Sequence, residues 1–521
     1  MAVYSVTFAN IVGYAKRHRL QVLLMGAMLL LTYYYRLITT SVSMDSTIAV
    51  EDAEYVYRWQ AVLGRNGLLL FNWLFGTVQL IPGYAGALLI VATFAYGVIW
   101  MALLSKVRGD NAPASFDWVF PVLYFSSIPM LEVVCYQHQG FQIAVGVGLI
   151  GYALHLWWDQ AEDFSVPKFA LAALLCGLAF STYQSLVTFT ISAIIGTCLL
   201  YCASQGKSFK EAVTIALKSM LLVALSYVVF KLVNVMGTML VAPQSDSSYL
   251  TGQFMWGKAS VADIVGGLVS HMKEACLGSG MYSKWYPLGA ALLFLITLGW
   301  SFDLSCAKGY GWYLVLVYVL LALSPFFINV ASGSSSVAIR AELSFACTYA
   351  LMASLALSGI EQRILAYVGK QQLVPTVLAV MCAGVTVLVV KTSVSPANRL
   401  LYTDYRVLQE QYLLTVDLYN QYERIDAGRG LSPVFVGQWH PHYDASMQCG
   451  EMLGSSLYEW GNRAPTEYWQ ALGYNVVRAT DEQLERAYEL AEDMPRMPQE
   501  GFIQEREGMV VIALPDPTKP F

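Results

Sequence analysis

The chain has 521 residues, 56% of them hydrophobic and only 13% charged, with a mean hydropathy of +0.50 and a formal net charge of −5. That balance excludes an ordinary soluble protein and points to a polytopic membrane protein. No basic cluster is present, which argues against a nucleic-acid partner.

Residues 1–19 are mildly amphipathic and end on Lys16, Arg17, His18 and Arg19, just ahead of an apolar run at 20–38. No small-residue cleavage site follows, so this run is expected to stay as an anchor. The basic residues before it place the N-terminus in the cytoplasm, and residues 44–67 then emerge on the opposite side. Residues 66–81 are apolar but short and end at Pro82-Gly83, which suggests a juxtamembrane or re-entrant helix. Further crossings are expected at 84–104, 116–134, 141–158, 169–182, 185–202, 215–236, 286–302, 312–330, 337–357 and 374–390. With the first run this gives about eleven transmembrane helices. Nearly every short loop on the cytoplasmic side of that scheme carries Lys or Arg. A long polar loop fills 237–285, and a Gly/Ser-rich turn lies at 331–336.

After residue 394 the composition changes. Apolar positions recur at helical spacing over 402–425, and SPVFVGQW (432–439), NVVRA (475–479) and MVVIALP (509–515) read as strands. Residues 481–494 read as a helix opened by a Thr480/Gln483 capping box. The expected fold is therefore a polytopic α-helical membrane module over 1–394, with its first outer loop at 39–82. A small extracytoplasmic α/β domain over 395–521 follows it.

Residues that could carry chemistry concentrate in 44–67, where Asp45, Glu51, Asp52 and Glu54 crowd together with Arg58 and Arg65 behind them. If 47–63 is one helix, Glu51, Tyr55 and Arg58 share a face, and Trp59 lies seven residues from Asp52 on a neighbouring one. Two readings stand side by side. The stretch is either a solvated loop whose charges pair with one another, or a carboxylate site at the membrane surface. In the second reading Asp45, Glu51 or Asp52 is a general base, and Arg65 or Arg58 receives a phosphate in its bidentate fork. Other polar residues sit where the outer ends of spans are expected. Glu132 follows Pro129 and is either a snorkelling carboxylate or part of a site, while Gln137, His138 and Gln139 form a polar tip for which plain solvation is the alternative to a role in a site. Tyr183-Gln184 can bond a polar substrate or a neighbouring helix, and Arg340 lies at a depth where it could meet a lipid phosphate. The nine cysteines form no metal motif or disulfide framework, and no P-loop, G-x-S-x-G or D-x-D triplet occurs. No cofactor is assigned, and a divalent metal is left open with no motif to hold it.

Asp45 followed by Trp59 and Gly64-Arg65, Pro129 with Glu132, and Tyr183-Gln184-Ser185 occur in an order that carries a resemblance, as do PVFVGQ (433–438), GSSLYEW (454–460) and LGYNV (472–476) in the tail. With this topology the chain resembles the serotype-converting O-antigen glucosyltransferases of the GT-C superfamily, multispanning enzymes that use polyprenyl-phosphate sugars. The family's adjacent acids are Asp45-Ser46 here, which leaves a second carboxylate to Glu51 or Asp52. The resemblance implies transfer of a hexose, typically glucose, from undecaprenyl phosphate to a surface glycan such as O-antigen. The reaction would occur on the periplasmic face of the bacterial inner membrane. Asp45 would be the base, with Asp52 or Glu51 next in line. Arg65, with Arg340 as the other candidate, would hold the donor phosphate, and Arg58, Trp59, Glu132, Tyr183 and Gln184 would line the substrates. A lipid-linked sugar transporter is the rival class, but no internal repeat supports it. A glycan polymerase is another, kept open by Lys258, His271 and Lys273 in the 237–285 loop.

Overall fold

The structure, a computed structural model, describes residues 2–39, 42, 45–109, 114–160, 164–242, 252, 254–334, 337–368, 373–444, 447–460 and 463–515. Among these, nine helices are long and apolar enough to cross a membrane: Arg19–Ile38, Pro82–Arg108, Gly140–Trp158, Leu186–Gln205, Phe209–Val241, Tyr286–Lys308, Tyr313–Ser332, Leu343–Ala366 and the long run Pro375–Asp426. The protein is a polytopic α-helical membrane protein with a small C-terminal sheet.

Two expected crossings are built differently. The one at 169–182 is the shorter helix Val166–Phe180. The one at 116–134 is broken into Val119–Phe125 and Ile128–Cys135. Pro129 causes the break, because it has no N–H to offer the carbonyl four residues back. That carbonyl, Phe125 O, instead accepts the Tyr33 hydroxyl at 2.7 Å, so the interrupted ladder leaves no buried acceptor unpaired there.

Arg19–Ile38 buries the stripe Met25, Met28, Leu29, Thr32, Tyr33 and Arg36 against Pro82–Arg108 and Ser395–Asp426. The last crossing does not stop near 390. Leu373–Val389 passes through a π-helical turn, Val390–Val394, directly into Ser395–Asp426. The wider turn accommodates Pro396, which has no N–H to donate. Asp404, on this continuation, pairs with Arg36 at 3.1 Å, with both side chains about 4% exposed. Asp404 also accepts the Gly454 N–H at 3.1 Å. Splitting so buried a pair strands a charge, typically at ~3–5 kcal/mol, so it fixes the tail helix against the first span.

In the tail, β1 (Ser432–Val436) pairs in parallel with β3 (Met509–Ala513), and β2 (Ile503–Arg506) pairs antiparallel with β3, giving the order β1-β3-β2. The helix Asp481–Leu490 starts at the expected Thr480/Gln483 capping box and lays Leu484 and Ala487 on Val434, Val436 and Val511. Residues 475–479 are not a strand. The Val476 carbonyl accepts the Gln470 side-chain amide at 2.9 Å, and Arg478 turns away to Glu51, so no ladder forms. The 237–285 region holds an amphipathic helix, Val261–Leu277, which continuous polarity did not suggest. Within that region 243–251 and 253 lie outside the described residues, as do Ser335 and Ser336 of the glycine-rich turn.

Candidate functional site

Residues 45–62 form two helices rather than one, Asp45–Glu51 and Ala53–Val62. Asp52 separates them: it leaves the helical region (φ −128°, ψ 75°), and its carboxylate accepts the Tyr55 N–H at 2.9 Å as an N-cap. The face expected to unite Glu51, Tyr55 and Arg58 is therefore not formed. Glu51 binds Arg478 of the tail at 2.7 Å, and Arg58 pairs with Glu54 at 2.5 Å on the solvent side. Trp59 is also substantially exposed. Asp45 stands apart from these pairs. It is exposed at the start of its helix, and its charge acts on Tyr136, His138 and Arg340.

The next turn is set by Gly64, whose φ of +71° suits glycine and brings Arg65 to the N-terminus of Asn66–Leu74. Gln184 reaches across to the Leu63 carbonyl and, at 3.4 Å, to that of Gly64. Gly67 packs on the end of Val166–Phe180, where a Cβ would fall 2.2 Å from Ser181 Oγ. Thus fixed, the Arg65 guanidinium lies 4.8 Å over the Tyr183 ring and donates from Nη1 to Gln60 Oε1 (3.1 Å) and Gln139 Oε1 (2.9 Å). Because Gln60 Oε1 faces Arg65, its Nε2 is the donor to His138 Nε2 at 3.2 Å. His138 then carries its proton on Nδ1 and donates it to Ser46 Oγ at 3.2 Å. Arg65, Gln60, His138 and Ser46 thus form one polar chain that ends beside Asp45.

A second guanidinium mirrors the first. Arg340 lies 4.9 Å over the Tyr136 ring and faces Glu451 of the tail at 3.5 Å. Tyr183 and Asp45 also lie within reach of its charge. Glu132 is fully buried, and its carboxylate accepts the N–H groups of Glu451 (2.7 Å) and Met452 (3.0 Å). Nearby, Glu342 accepts the Tyr282 hydroxyl at 2.5 Å and meets His271 Nε2 at 2.9 Å. Beside Glu132 a cavity of about 390 Å³ runs between the broken helix pair, Phe345 and Tyr349, and the start of the tail helix. Ser127, Pro129, Leu131, Leu400, Lys284 and Lys391 help to line it.

Of the residues singled out from sequence, the structure brings Asp45, Arg65, Tyr183, Gln184 and Arg340 to one end of the bundle. It gives Glu51, Asp52 and Arg58 other partners, and turns Glu132 to the tail backbone. Sequence reasoning missed Gln60, Tyr136 and Glu451, and left 137–139 as a polar tip open to plain solvation, whereas Gln137, His138 and Gln139 are all buried. An amide–imidazole–amide triplet in an otherwise apolar stretch was the available signal. Two guanidiniums stacked on tyrosine faces beside an exposed carboxyl can bind an anion and accept a proton.

Burial, reinforced by Arg65 and opposed by Asp45, pushes the His138 imidazole down to about 4. The unfolded chain therefore holds a proton that the folded one lacks between about pH 4 and the ordinary value near 6.5. Stability is complete above that window and is lost as pH falls through it. Thermal unfolding followed at pH 7.5 and pH 5 should show this drop in wild type and a flatter response in His138→Gln. An equal drop in both would detach the effect from His138.

A family model described as glucosyl transferase GtrII matches residues 15–357, about two thirds of the chain. The matched stretch contains Asp45, Arg65, Tyr183, Gln184 and Arg340. No curated protein matches the chain.

Proposed function

This chain belongs to the glucosyl transferase GtrII family, and on that premise we propose that it moves glucose from a polyprenyl phosphate donor to a surface glycan such as O-antigen. The convergence of Asp45, Arg65 and Arg340 around Tyr136 and Tyr183 carries this reading. An acceptor hydroxyl attacks the anomeric carbon and gives its proton to Asp45. The bond from that carbon to the phosphate oxygen breaks, and its electron pair stays on the phosphate, which faces the two guanidiniums. A single displacement of this kind inverts the anomeric centre. Tyr183 and Tyr136, both buried, hold the two cations on their ring faces.

The apolar cavity beside Glu132 suits the lipid part of the donor, since it opens between membrane-embedded helices a few residues from Arg340's neighbour Glu451. Lys106, Arg108 and Lys308 lie in the last turns of helices that begin at Pro82 and Tyr286 on the side of the site, which supports a site on the periplasmic face of the inner membrane. The N-terminus is then cytoplasmic and the tail periplasmic.

Transfer of labelled glucose in sealed, right-side-out vesicles tests the reading. Polyprenyl phosphate-glucose is placed in the bilayer and a water-soluble glycan acceptor is added outside. The expected result is an inverted glucosidic product on the external glycan. Transfer from a sugar nucleotide instead, or only to acceptor sealed inside, would overturn it.

A further inference from the structure

The family match ends at residue 357, yet the tail reaches into the site. Glu132, buried on the core, clasps the backbone N–H groups of Glu451 and Met452, 319 and 320 residues away in sequence. The fit is close: a Cβ at Gly450 would fall 1.8 Å from Glu132 Oε1, so only glycine lets the segment lie flush. This clasp delivers the Glu451 side chain, whose Oε2 accepts the Ile339 N–H at 3.0 Å and faces Arg340 Nη1 at 3.5 Å. The other side of the same guanidinium rests on Tyr136. A long cationic side chain without such restraints samples many rotamers, and ordering it opposes ligand binding.

We propose that Glu451 is a positioning residue for the anion site. Carried in by the Glu132 clasp, it holds Arg340 on the Tyr136 ring, within reach of Asp45 and Tyr183, before an anion arrives. The tail is then an integral part of the site. This inference rests on the reading of Arg340 as a ligand of the donor phosphate. Glu451 itself touches no reacting atom.

The test uses the full chain in nanodiscs, with undecaprenyl phosphate as the binding probe and transfer kinetics measured in parallel. Glu451→Ala should weaken probe binding about tenfold and raise the donor KM by a similar factor, with kcat changed no more than about twofold. Glu451→Gln keeps an acceptor for Ile339 but loses the charge, and should weaken binding about threefold. Glu132→Gln turns an amide NH2 toward backbone donors and should behave like Glu451→Ala. In an Arg340→Ala background, Glu451→Ala should add nothing, because the effect runs through Arg340. Additive losses, a fall in kcat at unchanged KM, or tighter probe binding by Glu451→Gln would each overturn the proposal, the last by making Glu451 a competitor of the phosphate. Arg340-dependent probe binding of this pattern without glucose transfer would sink the donor reading and leave the positioning role standing. A wild-type protein that does not bind the probe overturns both.

Discussion

Asp45→Asn should lower the transfer rate by ~10²–10⁴-fold, the usual contribution of a positioned general base, while leaving donor binding and folding largely intact. The substitution keeps the side chain's shape and removes only its basicity. The structure also ranks the neighbouring acids. Asp52 caps a helix through the Tyr55 N–H, a task Asn performs about as well, so Asp52→Asn should stay within about twofold of wild type. Glu51 pairs with Arg478, a partly exposed contact worth ~1 kcal/mol at most, so Glu51→Gln should loosen the tail slightly and cost a few-fold at most. Transfer rate against pH for the three amide variants, at matched protein amounts, separates these roles. A normal Asp45→Asn beside a dead Asp52→Asn would move the base to Asp52. Activity in all three would leave these acids as solvent-facing charges and shift the search for the base toward Glu342, which already bonds Tyr282 and His271.

The membrane part of this fold was legible because hydropathy and Lys/Arg placement are local signals, each readable within one segment. Departures arise where a distant group decides. Pro129 announces a break, but only Tyr33, far away in sequence, makes the break affordable by taking the Phe125 carbonyl. NVVRA has strand composition, yet Gln470 captures the Val476 carbonyl and Glu51 captures Arg478, so no partner strand is left to complete. β2 went unseen because Ile503–Arg506 is polar and draws its strand geometry from Met509–Ala513. In the site, Gly64-Arg65 and Tyr183-Gln184 were noticed as separate motifs. Their mutual packing, with Gln184 on the Gly64 turn and Tyr183 under Arg65, joins them into one unit that neither stretch announces alone. The order of the acids was not legible, since Asp45, Glu51 and Asp52 differ only in their partners. Glu451 gave no signal at all: one acid in a polar tail acquires a role only through a carboxylate more than three hundred residues away.

Arg65→Ala should lower kcat/KM for the lipid-linked donor by ~10²-fold, because a charge-assisted hydrogen bond is worth ~1.5–3 kcal/mol and the variant removes the whole fork. Arg65→Lys is the sharper probe. An ammonium keeps the charge but cannot stack flat on Tyr183 while donating to both Gln60 and Gln139. It should therefore recover only part of the loss, leaving a deficit of about tenfold. A scaffold effect must be separated from a phosphate effect, since Arg65 also orients Gln60 and through it His138. Gln60→Glu offers the contrast. It keeps the acceptor for Arg65 and removes the donor to His138, so it should disturb the acid response of stability more than donor KM. If Arg65→Ala raises donor KM while Gln60→Glu does not, the guanidinium acts on the donor itself. If the two variants lose activity in the same proportion, Arg65 serves only to hold the Gln60–His138 chain, and the phosphate falls to Arg340 alone. Full activity in Arg65→Ala would remove it from both roles.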